Sequence, residues 1–216
     1  MTSRQEVGGQ FAFATPRDWF PVPLPQTDAD VDQLVSQIEA AVTELADKRG
    51  LMKTMLSGLI EAAATVNAVC AYATMLHSPG PPLPATLLVS VPAIGDSTLD
   101  QLATAVSDPD DAAASSHMET FDLPAGPTVR VERLLSLPGT ADGQPQVSFN
   151  VKYVTEVPGR RQAVVMAFAV PAAALTESLR PLFHQIACTL CVNPAGPVDP
   201  PGGHNRAGDA DPVEAY

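Results

Sequence analysis

The chain is 216 residues long, 45% hydrophobic and 17% charged, with 12 basic against 24 acidic side chains and a formal net charge of −12. That length buries enough apolar surface for one ordinary domain without disulfides or a structural metal. The acidic balance argues against a nucleic-acid partner, because affinity for phosphate backbones comes from clustered Lys and Arg, and no basic residue occurs between Lys53 and Arg130.

Residues 1–9 are polar, include Arg4 and Glu6, and lead into no apolar run of the kind a secretory signal needs, so they read as a flexible N-terminus. The most apolar stretch, 60–76, carries Glu61 and Asn67 and is too short and too polar to span a bilayer. Three cysteines, Cys70, Cys188 and Cys191, are an odd number in a chain that needs no bridges, which suits a reducing compartment. The expectation is a cytoplasmic protein without membrane insertion.

Along the chain, 10–14 alternates as a short strand, and Trp19 is the single tryptophan, expected as a core anchor. The run FPVPLPQ at 20–26 excludes helix and favours an extended path. From Thr27 the period becomes helical: Val31, Leu34, Ile38, Val42, Leu45, then Leu51 or Met52, Met55 and Leu59 recur as one face of a long amphipathic helix. Thr27 or Asp28 suits the N-cap, and Gly50 and Gly58 allow either one bent helix or two consecutive ones. Strands are expected over 66–76 and, centrally, over 85–91, where both alternating sets are apolar. A short helix over 98–106 leads into an acidic loop, SDPDDAAASS. Four strands follow at 118–123, 128–137, 147–157 and 163–170, separated by PAGP, PGTADGQP and PG turns short enough to make neighbours antiparallel. The final helical pattern, 172–192, contains Pro181, where a kink or a new start is expected, and 193–216 is rich in Pro, Gly and Asp and reads as a disordered tail. The order is α+β: one antiparallel sheet of about six to seven strands, flanked by a long N-terminal helix region and a C-terminal helix, in a single domain over 10–192.

The element order and several local motifs resemble the Mog1/PsbP-like superfamily, especially its small actinobacterial members. The residues that carry the likeness are Phe11, Phe13, Pro16 and Trp19 in F-x-F-x-x-P-x-x-W, the strand at 85–91, the G-x-x-x-R of Gly126 and Arg130, and the strand and turn at 153–159. Ala169-Val170-Pro171, followed by a helix with Leu182-Phe183 and Ile186-Ala187, completes it. The resemblance implies a mostly non-catalytic group of assembly factors, small-GTPase binders, lipoproteins and chaperones, and that group has no common site motif from which functional residues carry over.

Motifs for chemistry are few. Asp28, Asp30 and Asp32 with Glu39 superficially follow a calcium loop, but Gln33 occupies the position where the sharp turn needs glycine. His184, Cys188 and Cys191 at i, i+4 and i+7 would share one edge of a continuous helix, and Cys70 could complete a tetrahedral zinc set. The commoner role of such thiols is as small buried apolar groups, and neither metal nor cofactor is expected. No G-x-S-x-G, P-loop or dinucleotide fingerprint occurs. Candidate partner contacts are Arg160 and Arg161 at a turn and the acidic Asp108, Asp110 and Asp111. The sequence therefore points to a non-catalytic binding or adaptor protein with a protein partner, and it permits self-association through the long amphipathic helix. The alternative is a small apolar-ligand binder or enzyme with a pocket between sheet and helix.

Overall fold

The structure is a computed structural model that describes residues 2–7, 11–24, 27–41, 49–76, 83–106, 113–137 and 146–192. Its strands are β1 (Thr2–Val7), β2 (Phe11–Pro16), β3 (Phe20–Val22), β4 (Ala68–Leu76), β5 (Leu83–Ser90), β6 (Ala113–Leu123), β7 (Gly126–Leu137), β8 (Gln146–Glu156), β9 (Ala163–Val170) and β10 (Cys191–Val192). The helices are α1 (Asp28–Ala41), α2 (Arg49–Thr65), α3 (Leu99–Ala105) and α4 (Thr176–Cys188). Seven strands form an antiparallel sheet in the order β3-β4-β5-β9-β8-β7-β6, and β1-β2-β10 form a second, three-stranded sheet.

The α+β class, the antiparallel sheet of seven strands and its meander from β6 to β9 match the sequence reading, whereas the second, three-stranded sheet is an addition to it. Thr2–Val7, expected to be flexible, pairs in full with β2. Its strand character comes from backbone pairing to a neighbour, which polar residues such as Ser3 and Gln5 do not advertise. Pro21 sits in β3, an edge strand, where a residue without an N–H is tolerated. The expected acidic loop is partly wrong as well, since strand β6 already starts at Ala113. Asp108, Asp110, Asp111 and the 193–216 tail lie outside the described residues.

The long N-terminal helical pattern is two helices. Thr27 caps α1: its N–H donates to Asp30 Oδ2 at 2.9 Å while its hydroxyl accepts from the Asp30 N–H at 3.4 Å. Val31, Leu34, Val35 and Ile38 of α1 and Met52, Leu56 and Leu59 of α2 bury together over Ala71, Ala73 and Met75 of β4. At the exposed rim Lys53 pairs with Asp32 at 3.2 Å and Arg49 with Glu39 at 3.0 Å. These contacts, with the Asp30 cap, give Asp30, Asp32 and Glu39 structural roles in place of a calcium loop. Asn67, at φ +48°, reverses the chain from α2 into β4, so that strand begins two residues later than expected. At the β6–β7 turn Gly126 takes φ +143°, and a Cβ there would meet Glu156 O at 3.0 Å.

The main core lies between the seven-stranded sheet and α4. Phe183 stacks on Phe168 with centroids 4.5 Å apart and on Phe149 at 6.4 Å, and Leu87, Val89, Met166, Ile186 and Leu190 close around them. Phe13 and Tyr72 meet edge to face at 5.5 Å, which ties the small sheet to β4. Trp19 is buried in the same core, edge-on to Phe168. Helix α4 runs through Pro181 and stops at Cys188, so Cys191 begins β10. Phe183→Ala removes a fully buried ring and is expected to cost about 3–5 kcal/mol of unfolding free energy, measured by urea denaturation.

Candidate functional site

Side chains alternate across the sheet, and the two faces of the central strands differ in size. On the α4 face β8 and β9 present Phe149, Val151, Tyr153, Met166 and Phe168. On the opposite face the registers line up Thr86, Ala169 and Asn150 in one row and Leu88, Ala167 and Lys152 in the next. That opposite face has two separate covers: α1 and α2 over β4, and α3 over Val129, Val131, Val154, Ala163 and Val165. Between the covers the two rows form the floor of an open groove of about 790 Å³.

One wall is a stripe of α2, Met55, Gly58, Leu59 and Ala62, continued by Val66 just after it, and the other is the end of α3, Ala105 with its C-cap Val106. The α2 stripe repeats at three and four residues, as one helix face does. A Cβ added at Gly58 would meet nothing within 4 Å, as expected for a residue that faces open space. Lys152 Nζ donates to the carbonyl of Val106, the C-cap of α3, and so ties floor to wall where a cation is favoured. The site is thus an apolar cleft with Asn150, Ser90, Thr86 and Lys152 as its polar groups, of a volume within the range of about 300–1,000 Å³ common for ligand sites.

A second cluster occupies the α4 face nearer the sheet edge. In register, Met166, Tyr153, Arg130 and Glu119 form one cross-strand row, and Phe168, Val151, Glu132 and His117 form the next. Glu132 is 7% exposed and accepts from Arg180 through both oxygens, at 2.8 and 2.9 Å. Arg130 Nε lies 3.0 Å from Glu132 Oε1, at ion-pair distance but without a well-directed hydrogen bond. Arg130 also donates to Glu119 at 2.6 Å and lies over the Phe121 ring. Arg180 additionally pairs with Glu177, and its hydrogen bonds to Glu132 and Glu177 push its pKa above the ordinary arginine value. The cluster fastens α4 to β7 through a carboxylate between two guanidiniums.

The candidates raised by sequence do not converge. His184 packs against Phe121 at 5.5 Å and Tyr153 at 6.1 Å. Cys188 ends α4 half-buried, Cys191 is exposed on β10, and Cys70 is half-buried on β4. The helical edge that would have grouped His184, Cys188 and Cys191 ends before Cys191, because the chain leaves the helix after Cys188. No three metal-ligating side chains come together among the described residues. Arg161 pairs with Asp96 at 3.0 Å on the exposed surface. The sequence carries one signal for the second cluster: Arg130 and Glu132 occupy alternate positions of a strand, flanked by the apolar Val129, Val131 and Leu134.

Taken together, these features describe an α+β protein with a helix-walled groove on one sheet face. The chain matches no protein-family model and no curated protein. Among solved structures it is similar to LpqN of Mycobacterium tuberculosis, described as involved in cell envelope biogenesis, at 11% identity with a TM-score of 0.47, covering 90% of this chain and 91% of that one. It is also similar to the Saccharomyces cerevisiae Ran-binding protein Mog1p, at 9% identity with a TM-score of 0.49, covering 89% of this chain and 95% of that one. At these identities, and with TM-scores below 0.5, neither likeness carries an argument about this chain. No described helix is long and apolar enough to cross a membrane.

Two predictions follow the burial of these groups. The Tyr153 hydroxyl has no directed hydrogen-bond partner, and burial pushes its pKa up to about 12, with nearby Arg130 opposing. The folded state keeps this phenol neutral where the unfolded chain ionises near 10, so stability is intact below about pH 10 and falls as pH rises towards 12. Tyr153→Phe is expected to change stability by no more than about 1 kcal/mol at pH 7 and to raise the midpoint of alkaline unfolding, followed by circular dichroism. Burial likewise pushes the Cys70 thiol up to about 12. Iodoacetamide at mildly alkaline pH should therefore label exposed Cys191 first and leave Cys70 unmodified until the chain unfolds, as peptide mass spectrometry will read.

Proposed function

We propose that the protein is a non-catalytic binding protein whose groove between α2 and α3 receives an apolar segment of a protein partner. The observation that carries this reading is the floor of small side chains, Thr86, Ala167 and Ala169, which no described helix covers and which the apolar stripe of α2 flanks. Small floor residues let a partner's backbone approach closely, and two helical walls offer ridges for alternate side chains. Among the described residues the groove is about half open, whereas a small-molecule site encloses most of its ligand's surface, so the shape favours a chain-like occupant. Half-exposed Val66, at 48%, extends the apolar wall to the rim. A reducing cytoplasm is the setting this reading assumes, supported by three thiols that are all free.

The test uses two variants that fill the groove, one from its α2 wall and one from its floor. Gly58→Leu adds a side chain where space is open and improves helix propensity by about 1 kcal/mol. Ala167→Arg places a long cation on the floor. Affinity purification of the tagged protein from its native cells, with quantitative mass spectrometry, should show a stoichiometric partner retained by the unmodified protein and lost at least about tenfold with either variant. A partner retained equally by both variants would overturn the groove reading, and the raised thermal stability of Gly58→Leu separates blocked binding from misfolding.

A further inference from the structure

The seven-stranded sheet ends in two unlike edges. At one, β3 is three residues long and contains Pro21, which has no N–H to offer a neighbour, so this edge is blunted. At the other, β6 runs for eleven residues and pairs only with β7. It contains no Pro, Lys or Arg, the residues that commonly protect an edge, and its single irregularity lies at its start, between Ala113 and Ser115. Residues 115–120 are all exposed, including Met118 at 42%. Among the described residues nothing pairs with its outer side.

We propose that β6 is a homodimerisation edge: two copies of this chain pair antiparallel through β6 about a two-fold axis at Met118 and join their sheets into one. The inference is independent of the groove, which lies on the opposite side of α3 from this edge. Its warrant is self-complementarity. An isologous interface sets residue i against j and j against i, so the register centred on Met118 brings Met118 against the partner's Met118. It also sets His117 opposite the partner's Glu119 and Ser116 opposite the partner's Thr120, each pair occurring twice. The first is an imidazole donor against a carboxylate and the second a hydroxyl pair, both favourable cross-strand combinations.

Neighbouring registers lack this match. Centring on Glu119 sets two carboxylates face to face, and centring on Thr120 sets Met118 against Asp122, whereas centring on His117 leaves no opposite-charge pair. Glu119 is also prepared for the role. Arg130 holds its Oε2 at 2.6 Å, while its Oε1 accepts no hydrogen bond among the described residues and the side chain is half exposed. A two-fold axis normal to the sheet keeps like faces together, so the apolar Met118 pair falls on the α3 face and the His117–Glu119 pairs fall on the α4 face.

The test is sedimentation equilibrium of the full-length protein over a concentration series, alongside His117→Glu, which opposes like charges at both symmetric contacts, and Met118→Lys, which opposes two ammonium groups on the axis. A monomer–dimer equilibrium is expected, with the dissociation constant raised about tenfold or more in each variant. As a second readout, Met118→Cys combined with Cys191→Ser should form a covalent dimer on mild oxidation, because directly opposed Cβ atoms in an antiparallel pair stand about 4.5–5.5 Å apart. A protein monomeric at every concentration would overturn the proposal. So would a dimer that both edge variants leave unchanged and that Met118→Cys does not cross-link.

Discussion

The structure depends on an inequality between the two faces of one sheet. Along β9, Met166, Phe168 and Val170 point one way, and Val165, Ala167 and Ala169 point the other. The large set requires a cover that can interlock with rings, which α4 supplies through Phe183 and Ile186. Ala167 and Ala169 cannot fill the space beneath a helix in the same way. The helices of the opposite face settle instead over neighbouring strands, where Met75 or Val129 and Val131 give them larger apolar partners. The groove is the strip left between them. Because close packing governs both faces, a change in side-chain size on β9 would move from core to groove and back with each residue along the strand.

Charge is arranged by the same alternation. The rows that begin as Met166–Tyr153 and Phe168–Val151 at the centre of the sheet end as Arg130–Glu119 and Glu132–His117 at its edge. Burial therefore decreases along each row, and ionisable side chains appear where water or an opposite charge can satisfy them. Glu132 is the exception, nearly buried, and it is held between Arg130 and Arg180. That contact orients α4 across the sheet, and orientation is the role that directional pairs supply where apolar packing alone is permissive. The edge strand β6 receives the outer ends of both rows, which gives it a polar pattern suited to pairing with another strand.

Much of the fold was legible in the chain. The apolar period of α1 and α2, the alternation of β7 to β9, and the turn residues at Gly126 and Gly159 are local signals, and each element formed where its signal lay. Elements specified by partners were not legible. Strands β1 and β10 carry weak or contrary composition, and their backbone hydrogen bonds exist only because β2 presents its edges to them. The metal grouping of His184, Cys188 and Cys191 failed for a related reason: helical spacing holds only while the helix continues, and α4 ends at Cys188, where the Thr189 N–H bonds back to Ile186 and the Thr189 hydroxyl bonds Ala14 of the small sheet.

By itself, the sequence determined the α+β class, the antiparallel meander, the inward faces of the long helices and the acidic character that argues against phosphate backbones, because each of these follows from composition or from a period within one segment. The tertiary structure decided which strands meet at the sheet's edges, the gap between α2 and α3, and the meeting of Arg180 with Glu132 across 48 positions of chain. Those features depend on register and on the competition among helices for one sheet face. A pattern within any single segment carries no record of that competition.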